Sequence, residues 1–96
     1  MIFYNEENEL NPDEFRTVLI NSTLGERRPV NDTERIAQMV KSAGLIITAR
    51  DNKKLVGVAR AITDFVYCTY LSELAVDKDY QNRGIGKELI KQVKLK

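Results

Sequence analysis

The clearest chemical signal in the sequence is the segment Gln81-Asn82-Arg83-Gly84-Ile85-Gly86-Lys87, the glycine loop. Its glycines stand at the start of a run with helical periodicity. The first turn of a helix carries backbone N–H groups without intrahelical partners and the positive end of the helix dipole, so it binds anions. Glycines let an anion approach the backbone, and Arg83 and Lys87 can add charge-assisted hydrogen bonds. The glycine loop therefore predicts a phosphate site.

Two common phosphate-binding patterns do not fit this segment. The Walker pattern fails because Gln81 stands in place of its first glycine and Glu88 in place of its Ser/Thr. The Rossmann fingerprint fails because Leu89 stands where its third glycine belongs. A Gly-x-Gly at a helix start is also consistent with a helix cap alone, so both interpretations stay open on this evidence.

The first half of the sequence predicts a short strand and two helices that support this loop. Residues 2–4 form the strand, and a helix is expected to begin at Pro12 with Asn11 as its cap and to end near Gly25. Asn31 or Asp32 is expected to cap the second helix. The apolar faces at helical spacing are Phe15, Val18, Leu19 and Ser22 in the first helix and Ile36, Met39, Val40 and Ala43 in the second.

The second half predicts three strands and a last helix. Residues 45–49 and 55–59 form a hairpin around the turn at 51–54, and a third strand is expected over residues 65–76. In that strand Cys68, Tyr70, Leu74 and Val76 are expected on one face and Leu71 and Ala75 on the other, as in an inner strand covered on both sides. The final helix begins near Gly84, with Ile85, Leu89 and Val93 facing inward.

This order predicts one α+β domain over residues 1–96, with a mostly antiparallel mixed sheet flanked by helices in the order β-α-α-β-β-β-α.

Fifteen basic and fourteen acidic residues give a net charge of +1. We therefore expect neither nucleic acid nor membrane as a partner. The chain has one cysteine and no histidine, so we expect no disulfide, no Ser-His nucleophile pair and no metal. Cys68 is expected to be a packed thiol, and the composition predicts a cytoplasmic protein.

The segment from Leu74-Ala75-Val76 through the spacer 77–80 to Gln-x-x-Gly-x-Gly resembles the coenzyme-binding motif of the GNAT N-acetyltransferase superfamily. The element order also resembles the N-terminal two-thirds of that fold. The resemblance implies acetyl-CoA as a co-substrate and an amine of a small molecule or protein as the acceptor. It places pantetheine on Leu74, Ala75 and Val76, and the pyrophosphate on Gln81, Asn82, Arg83, Gly84, Ile85, Gly86 and Lys87.

The same resemblance suggests catalytic and acceptor residues. Glu73 is the candidate for the base or for an amine-positioning group, and the alternative is a solvated or ion-paired carboxylate. Tyr70, or Tyr67, is a candidate proton donor, although strand tyrosines also pack in cores. Arg27 and Arg28 lie between the two helices and would suit an acceptor that carries a carboxylate or phosphate, unless they only form a surface loop.

Domains of this superfamily continue after the coenzyme helix with a strand, a helix and a further strand, which the sequence does not contain. We therefore expect an incomplete domain, or one completed by a partner such as a second copy in a homodimer. The alternative function is a non-catalytic acyl-CoA-binding or interaction module whose open sheet edge pairs with another chain.

Overall fold

The computed structural model describes residues 1–22, 31–63 and 69–95. The element order confirms the predicted sequence of strands and helices. The elements are β1 (Ile2–Glu6), α1 (Pro12–Asn21), α2 (Thr33–Ser42), β2 (Leu45–Asp51), β3 (Lys54–Thr63), β4 (Thr69–Val76), a short 3-10 helix (Lys78–Tyr80) and α3 (Ile85–Lys94).

Local side chains begin the first two helices as predicted. The Asn11 side chain accepts a hydrogen bond from the Asp13 amide at 2.8 Å. Asp32, rather than Asn31, caps α2 by accepting from the Arg35 amide at 3.0 Å. Gly25, the expected end of the first helix, lies outside the described residues. Over the residues that the structure describes, no helix is long and apolar enough to cross a bilayer.

The four strands form one sheet in the order β1-β2-β3-β4, and each pairing is antiparallel. The turn between β2 and β3 contains Asn52 at φ 58°, a left-handed conformation that asparagine tolerates better than most residues. Antiparallel pairing brings the start of β3 and the end of β4 to the same end of the sheet. The glycine loop leaves the sheet at that end.

The sheet separates two apolar layers. On one face α1 and α2 cover a cluster that includes Phe15, Leu19, Ile36 and Val58. On the other face α3 places Ile85, Leu89 and Val93 on a second cluster, as the sequence predicted. A Cβ atom on Gly57 would lie only 3.2 Å from the Ile85 Cγ2 and the Leu89 Cδ1 atoms. Glycine at this position therefore lets α3 pack closely on β3.

A β-bulge changes the faces of β4 from those predicted. Arg60 pairs with Glu73 and the next residue of β3, Ala61, pairs with Leu71, so Ser72 is the extra residue. Leu71 consequently packs under α3 with Leu74, and not on the face of Ala75. The predictions that Leu71 shares the face of Ala75 and that Tyr70 shares the face of Leu74 assumed unbroken alternation and were wrong. The predicted inner position of this strand is also not observed, because β4 is the last strand of the described sheet.

A partly buried polar network around Arg50 joins β2 to α1 and to the residue that follows β1. Its Nε and Nη2 atoms each donate to Glu7 at 2.9 Å, and its Nη1 and Nη2 atoms donate to Glu14 at 2.8 and 3.1 Å. The Thr48 hydroxyl also donates to Glu7. The hydrogen bonds from Arg50 hold the pKa of Glu7 below its ordinary value. The network therefore ties the chain between β1 and α1 to the sheet.

Candidate functional site

The segment between β4 and α3 is anchored to the sheet before the glycine loop begins. The Asp77 amide donates to the Val56 carbonyl at 2.8 Å. The Asp77 carboxylate accepts from the Asp79 amide at 2.9 Å, and the Asp77 carbonyl accepts from the Tyr80 amide at 2.8 Å. These bonds form the short 3-10 helix and fix the direction in which the chain enters the loop.

The backbone of the glycine loop alternates in the sign of φ. Asn82 has φ 66° and Gly84 has φ 78°, whereas Arg83 between them is not in the positive region. Such alternation turns successive N–H groups toward one side of the chain, which is how backbone nests hold anions. Gly84 is the N-cap of α3 and makes no side-chain cap hydrogen bond. The first-turn N–H groups of α3 are therefore not capped by a side chain at that position.

Gly86 is a glycine that packing does not require. A Cβ atom built on it would meet the Val76 Cγ2 atom at 3.8 Å and the Leu74 Cδ2 atom at 3.9 Å, which are ordinary van der Waals distances. Ile85 is buried and directs its side chain into the core, so it offers only backbone to a ligand. The loop therefore fits a phosphate group that contacts the first turn of α3 through the backbone.

The open edge of β4 lies beside this loop. Because the Asp77 amide bonds to Val56, the ladder directs the backbone groups of Ala75 toward β3 and those of Leu74 and Val76 away from it. The Gln81 Nε2 atom donates to the Val76 carbonyl at 3.0 Å, in agreement with that direction. Of the three strand residues predicted to bind pantetheine, Leu74 and Val76 thus present backbone groups to the edge.

Tyr80 connects the entry of the loop to the β2–β3 turn. Its hydroxyl donates to the Asp51 Oδ2 atom at 2.9 Å, and its ring packs against the core beneath α3. This hydrogen bond raises the pKa of Tyr80 and lowers the pKa of Asp51. The Lys54 Nζ atom lies 5.3 Å and the Arg83 Cζ atom 5.1 Å from the centre of the ring. The sequence analysis did not find this contact, since Asp51 and Tyr80 are 29 positions apart.

Glu73, the candidate base, is buried and ion-paired. The Arg60 Nη1 atom donates to its Oε1 atom at 2.7 Å, and the side chains of Arg60 and Glu73 are 9% and 5% exposed. Arg60 also donates to the Met39 carbonyl at 2.7 Å and to the Ser72 hydroxyl at 2.9 Å. The sequence analysis did not find Arg60, and its only signal was a charged residue within the apolar run of β3.

The bulge at Ser72 brings the two catalytic candidates to one face. Tyr70 pairs with Ile62 and Glu73 pairs with Arg60, and these partners are two residues apart on β3. Tyr70 is 67% exposed, so it is not a core residue. Arg27, Arg28, Tyr67 and Cys68 lie outside the described residues. Within residues 1–22, 31–63 and 69–95, no three His, Cys, Asp or Glu side chains form a group that could hold a metal ion.

Comparison with known proteins gives a family match over most of the chain. A profile of the Acetyltransferase (GNAT) family matches residues 5–94. A curated relative, the chloroplastic GCN5-related N-acetyltransferase 2 of Arabidopsis thaliana, is 36% identical over 44 residues, which are 46% of this chain and 17% of that protein. The chain thus spans less than a fifth of that relative.

Solved structures show the same fold. A GNAT family acetyltransferase from Streptococcus pneumoniae matches with a TM-score of 0.80 and 22% identity, over 97% of this chain and 65% of that one. An aminoglycoside 6'-N-acetyltransferase complexed with coenzyme A matches with a TM-score of 0.78 and 22% identity, over 97% of this chain and 53% of that one. This chain therefore spans between about half and two-thirds of these two structures.

Proposed function

The chain belongs to the GNAT acetyltransferase family, and from this premise we propose that it binds acetyl-CoA and transfers the acetyl group to an amine of a small molecule or protein. One observation carries the proposal: the helix that begins without a side-chain cap at Gly84 brings Gly86 against the side chains of Leu74 and Val76, whose backbone groups face the edge of the sheet. The first feature suits a pyrophosphate and the second suits the amides of pantetheine.

The proposed binding residues divide by the kind of group they offer. Backbone N–H groups come from Gly84, Ile85 and Gly86. A ligand can approach them closely because the two glycines have no Cβ atom. Arg83 and Lys87 are exposed and offer positive charge to the same anion. Gln81 and Asn82 shape the loop, because Gln81 holds the Val76 carbonyl and Asn82 takes the left-handed conformation.

Acetyl transfer from a thioester forms a C–N bond as the C–S bond breaks, and the attacking amine must first lose a proton. An alkyl ammonium has a pKa near 10.4, so deprotonating it at neutral pH costs roughly 4.6 kcal/mol. A nearby base that accepts this proton lowers the barrier. The coenzyme thiolate leaves more easily, because thiol pKa values lie near 8.5.

We place the proton acceptor on the face of β4 that carries Glu73 and Tyr70. The ion pair with Arg60 fixes the position of the Glu73 carboxylate, which suits holding an ammonium or receiving its proton through water. Tyr70 on the same face is the proposed donor to the leaving sulfur. Arg27 and Arg28 remain the proposed acceptor-binding residues, and the cytoplasmic location remains a prediction.

Calorimetric titration of the 96-residue chain with acetyl-CoA tests the coenzyme site. We expect saturable binding that Gly86→Asp abolishes, because its carboxylate would meet the pyrophosphate. Ala37→Asp is the matched control, since it places the same charge on an exposed position of α2. Equal binding by wild type and Gly86→Asp would place the coenzyme elsewhere, and no binding by a folded wild type would reject the proposal.

A second candidate function is acyl-CoA binding without transfer. The Arg60–Glu73 ion pair favours it, because a carboxylate held by a buried guanidinium can serve the fold without taking part in catalysis. Release of coenzyme A in the presence of a panel of primary amines separates the two functions. Transfer to any amine supports the enzyme, whereas tight binding without release supports the binding module. The proposed homodimer is checked separately by sedimentation.

A further inference from the structure

Two large apolar side chains lie side by side on the sheet face opposite α3. Ile62 of β3 and Tyr70 of β4 are paired across the two strands, and they are 51% and 67% exposed. Side chains paired across antiparallel strands have Cβ atoms about 4.5–5.5 Å apart. The two side chains therefore form one continuous surface, the Ile62–Tyr70 surface. Adjacent exposed apolar side chains are more informative than scattered ones, because contiguous apolar patches mark binding surfaces.

Strand alternation places this surface beside the Arg60–Glu73 ion pair. Ala61 packs in the cluster beneath α3, so its neighbours Arg60 and Ile62 both point to the opposite face. The helix α2 reaches that face at Arg60, whose Nε atom donates to the Met39 carbonyl at 2.7 Å. Arg60 is buried whereas Ile62 is exposed. The buried part of this face thus ends between these two residues.

The Ile62–Tyr70 surface lies within reach of a small molecule held at Glu73. Side chains on one face of a strand are about 6.6 Å apart, since each residue rises about 3.3 Å. Ile62 is one such step from Arg60, which is the cross-strand partner of Glu73. Combined with a cross-strand distance of about 5 Å, this step separates Ile62 from Glu73 by about 8 Å. An extended chain of about six atoms spans that distance, because its bonds are about 1.5 Å long.

We propose that the Ile62–Tyr70 surface binds the apolar part of the acceptor, so that the substrate is a primary amine with an aliphatic or aromatic group within about 8 Å of its nitrogen. This inference rests on the proposed function, which puts the amine beside Glu73 and Tyr70, and it names the class of acceptor. An apolar group on this surface removes apolar area of the ligand and of both side chains from water, which favours binding. A polar chain of the same length loses hydration there instead.

Two amines of matched length test this inference. Hexylamine and 2-(2-aminoethoxy)ethanol have chains of equal length, but the second carries an ether and a hydroxyl oxygen. The measurement is kcat/KM for acetyl transfer to each amine by the wild type, Ile62→Thr and Phe3→Thr. Ile62→Thr removes apolar surface and keeps a β-branched residue that suits a strand. Phe3→Thr is the matched control, because Phe3 is 48% exposed on β1, at the opposite edge of the sheet from β4.

The expected result is a preference for the apolar amine that depends on Ile62. We expect the wild type and Phe3→Thr to favour hexylamine by about tenfold or more in kcat/KM, and Ile62→Thr to reduce this preference to about threefold or less. The loss should appear in the KM for hexylamine and not in kcat, because Ile62 touches the apolar group and not the reacting atoms. Thermal melting of each variant confirms that the change does not come from unfolding.

Every other outcome contradicts one of the two proposals. Equal kcat/KM for the two amines in the wild type overturns this inference and leaves the proposed function standing. An unchanged preference in Ile62→Thr also overturns it, because another surface must then hold the apolar group. Transfer only to other members of a panel of primary amines overturns the inference alone. If a folded wild type transfers the acetyl group to no amine of the panel, the proposed function fails and the inference with it.

Discussion

The Arg60 Nη1 atom donates a 2.7 Å hydrogen bond to the Glu73 Oε1 atom, across the paired strands β3 and β4. Both side chains are buried, so neither charge is screened by bulk water. Arg60 further donates to the Met39 carbonyl of α2 and to the Ser72 hydroxyl in the bulge. One guanidinium thus connects a helix, a bulge and the candidate base.

Arg60→Met should destabilise the fold by about 3–5 kcal/mol, because it leaves the Glu73 carboxylate buried without its partner. The double variant Arg60→Met/Glu73→Gln should recover part of this loss. Urea denaturation of the four proteins in the cycle measures the coupling. A double variant as unstable as the sum of the single variants would show that the pair is not coupled.

Glu73→Gln should lower kcat by about 10²-fold or more if Glu73 receives the amine proton. Its affinity for acetyl-CoA should stay within about twofold of the wild type, since Glu73 faces α2 rather than α3. Steady-state kinetics with an accepted amine, together with calorimetry, give both quantities. Glu34→Gln, at an exposed position of α2, is the control. An unchanged kcat would assign Glu73 to folding alone.

Gly84→Ala should cost about 1–2 kcal/mol, because φ 78° is strained for a residue with a Cβ. No atom lies within 4 Å of that Cβ, so the cost is conformational rather than steric. Gly84→Asn should lose less, since asparagine tolerates the left-handed region. Chemical denaturation ranks the three proteins, and an alanine variant as stable as wild type would contradict the assigned backbone conformation.

Gly57→Ala should destabilise by about 1–3 kcal/mol through overpacking beneath α3. The new Cβ would meet Ile85 and Leu89 side-chain atoms at 3.2 Å. Because these residues fix the start of α3, the variant should also weaken acetyl-CoA binding. Gly86→Ala is the comparison for stability, since its Cβ meets only ordinary contacts. Equal melting temperatures for Gly57→Ala and wild type would show that α3 moves freely to make room.

The pKa of Glu7 is below its ordinary value in the folded chain, so the contribution of Glu7 to stability is present above about pH 5 and is lost as the pH falls through the folded pKa. Glu7→Gln should therefore be less stable than wild type near pH 6, and this difference should shrink as the pH falls below the ordinary glutamate pKa of about 4.3. Urea denaturation across this range measures the difference. Glu9→Gln is the control, and a difference independent of pH would contradict the role given to Arg50.

The sequence predicted the features that depend on neighbouring residues. Caps such as Asn11 act over two or three positions, and the inward stripe of α3 follows from helical spacing. Gly84 at the start of the last helix was likewise local information. The position and type of each element therefore followed from short-range patterns.

The missed features depend on contacts between distant residues. Nothing near Ser72 distinguishes a bulge from regular strand, because its cause is the pairing of β4 with β3. Arg60 is buried only because α2 and β4 supply acceptors for its guanidinium. The hydrogen bond of Tyr80 to Asp51 likewise requires the folded turn. Tertiary geometry, rather than propensity, decides these positions.

The bulge at Ser72 also gives β4 two phases of alternation within eight residues. Tyr70 lies four residues before Leu74, so regular alternation would place both side chains on one face of the sheet. The bulge places Tyr70 on the opposite face. A deletion of Ser72 would restore a single phase and leave Tyr70 and Glu73 on one face, because the two residues would then be two positions apart in a regular strand. The common face of these two residues is therefore set by the pairing of β4 with β3, and it survives the loss of one residue from the strand.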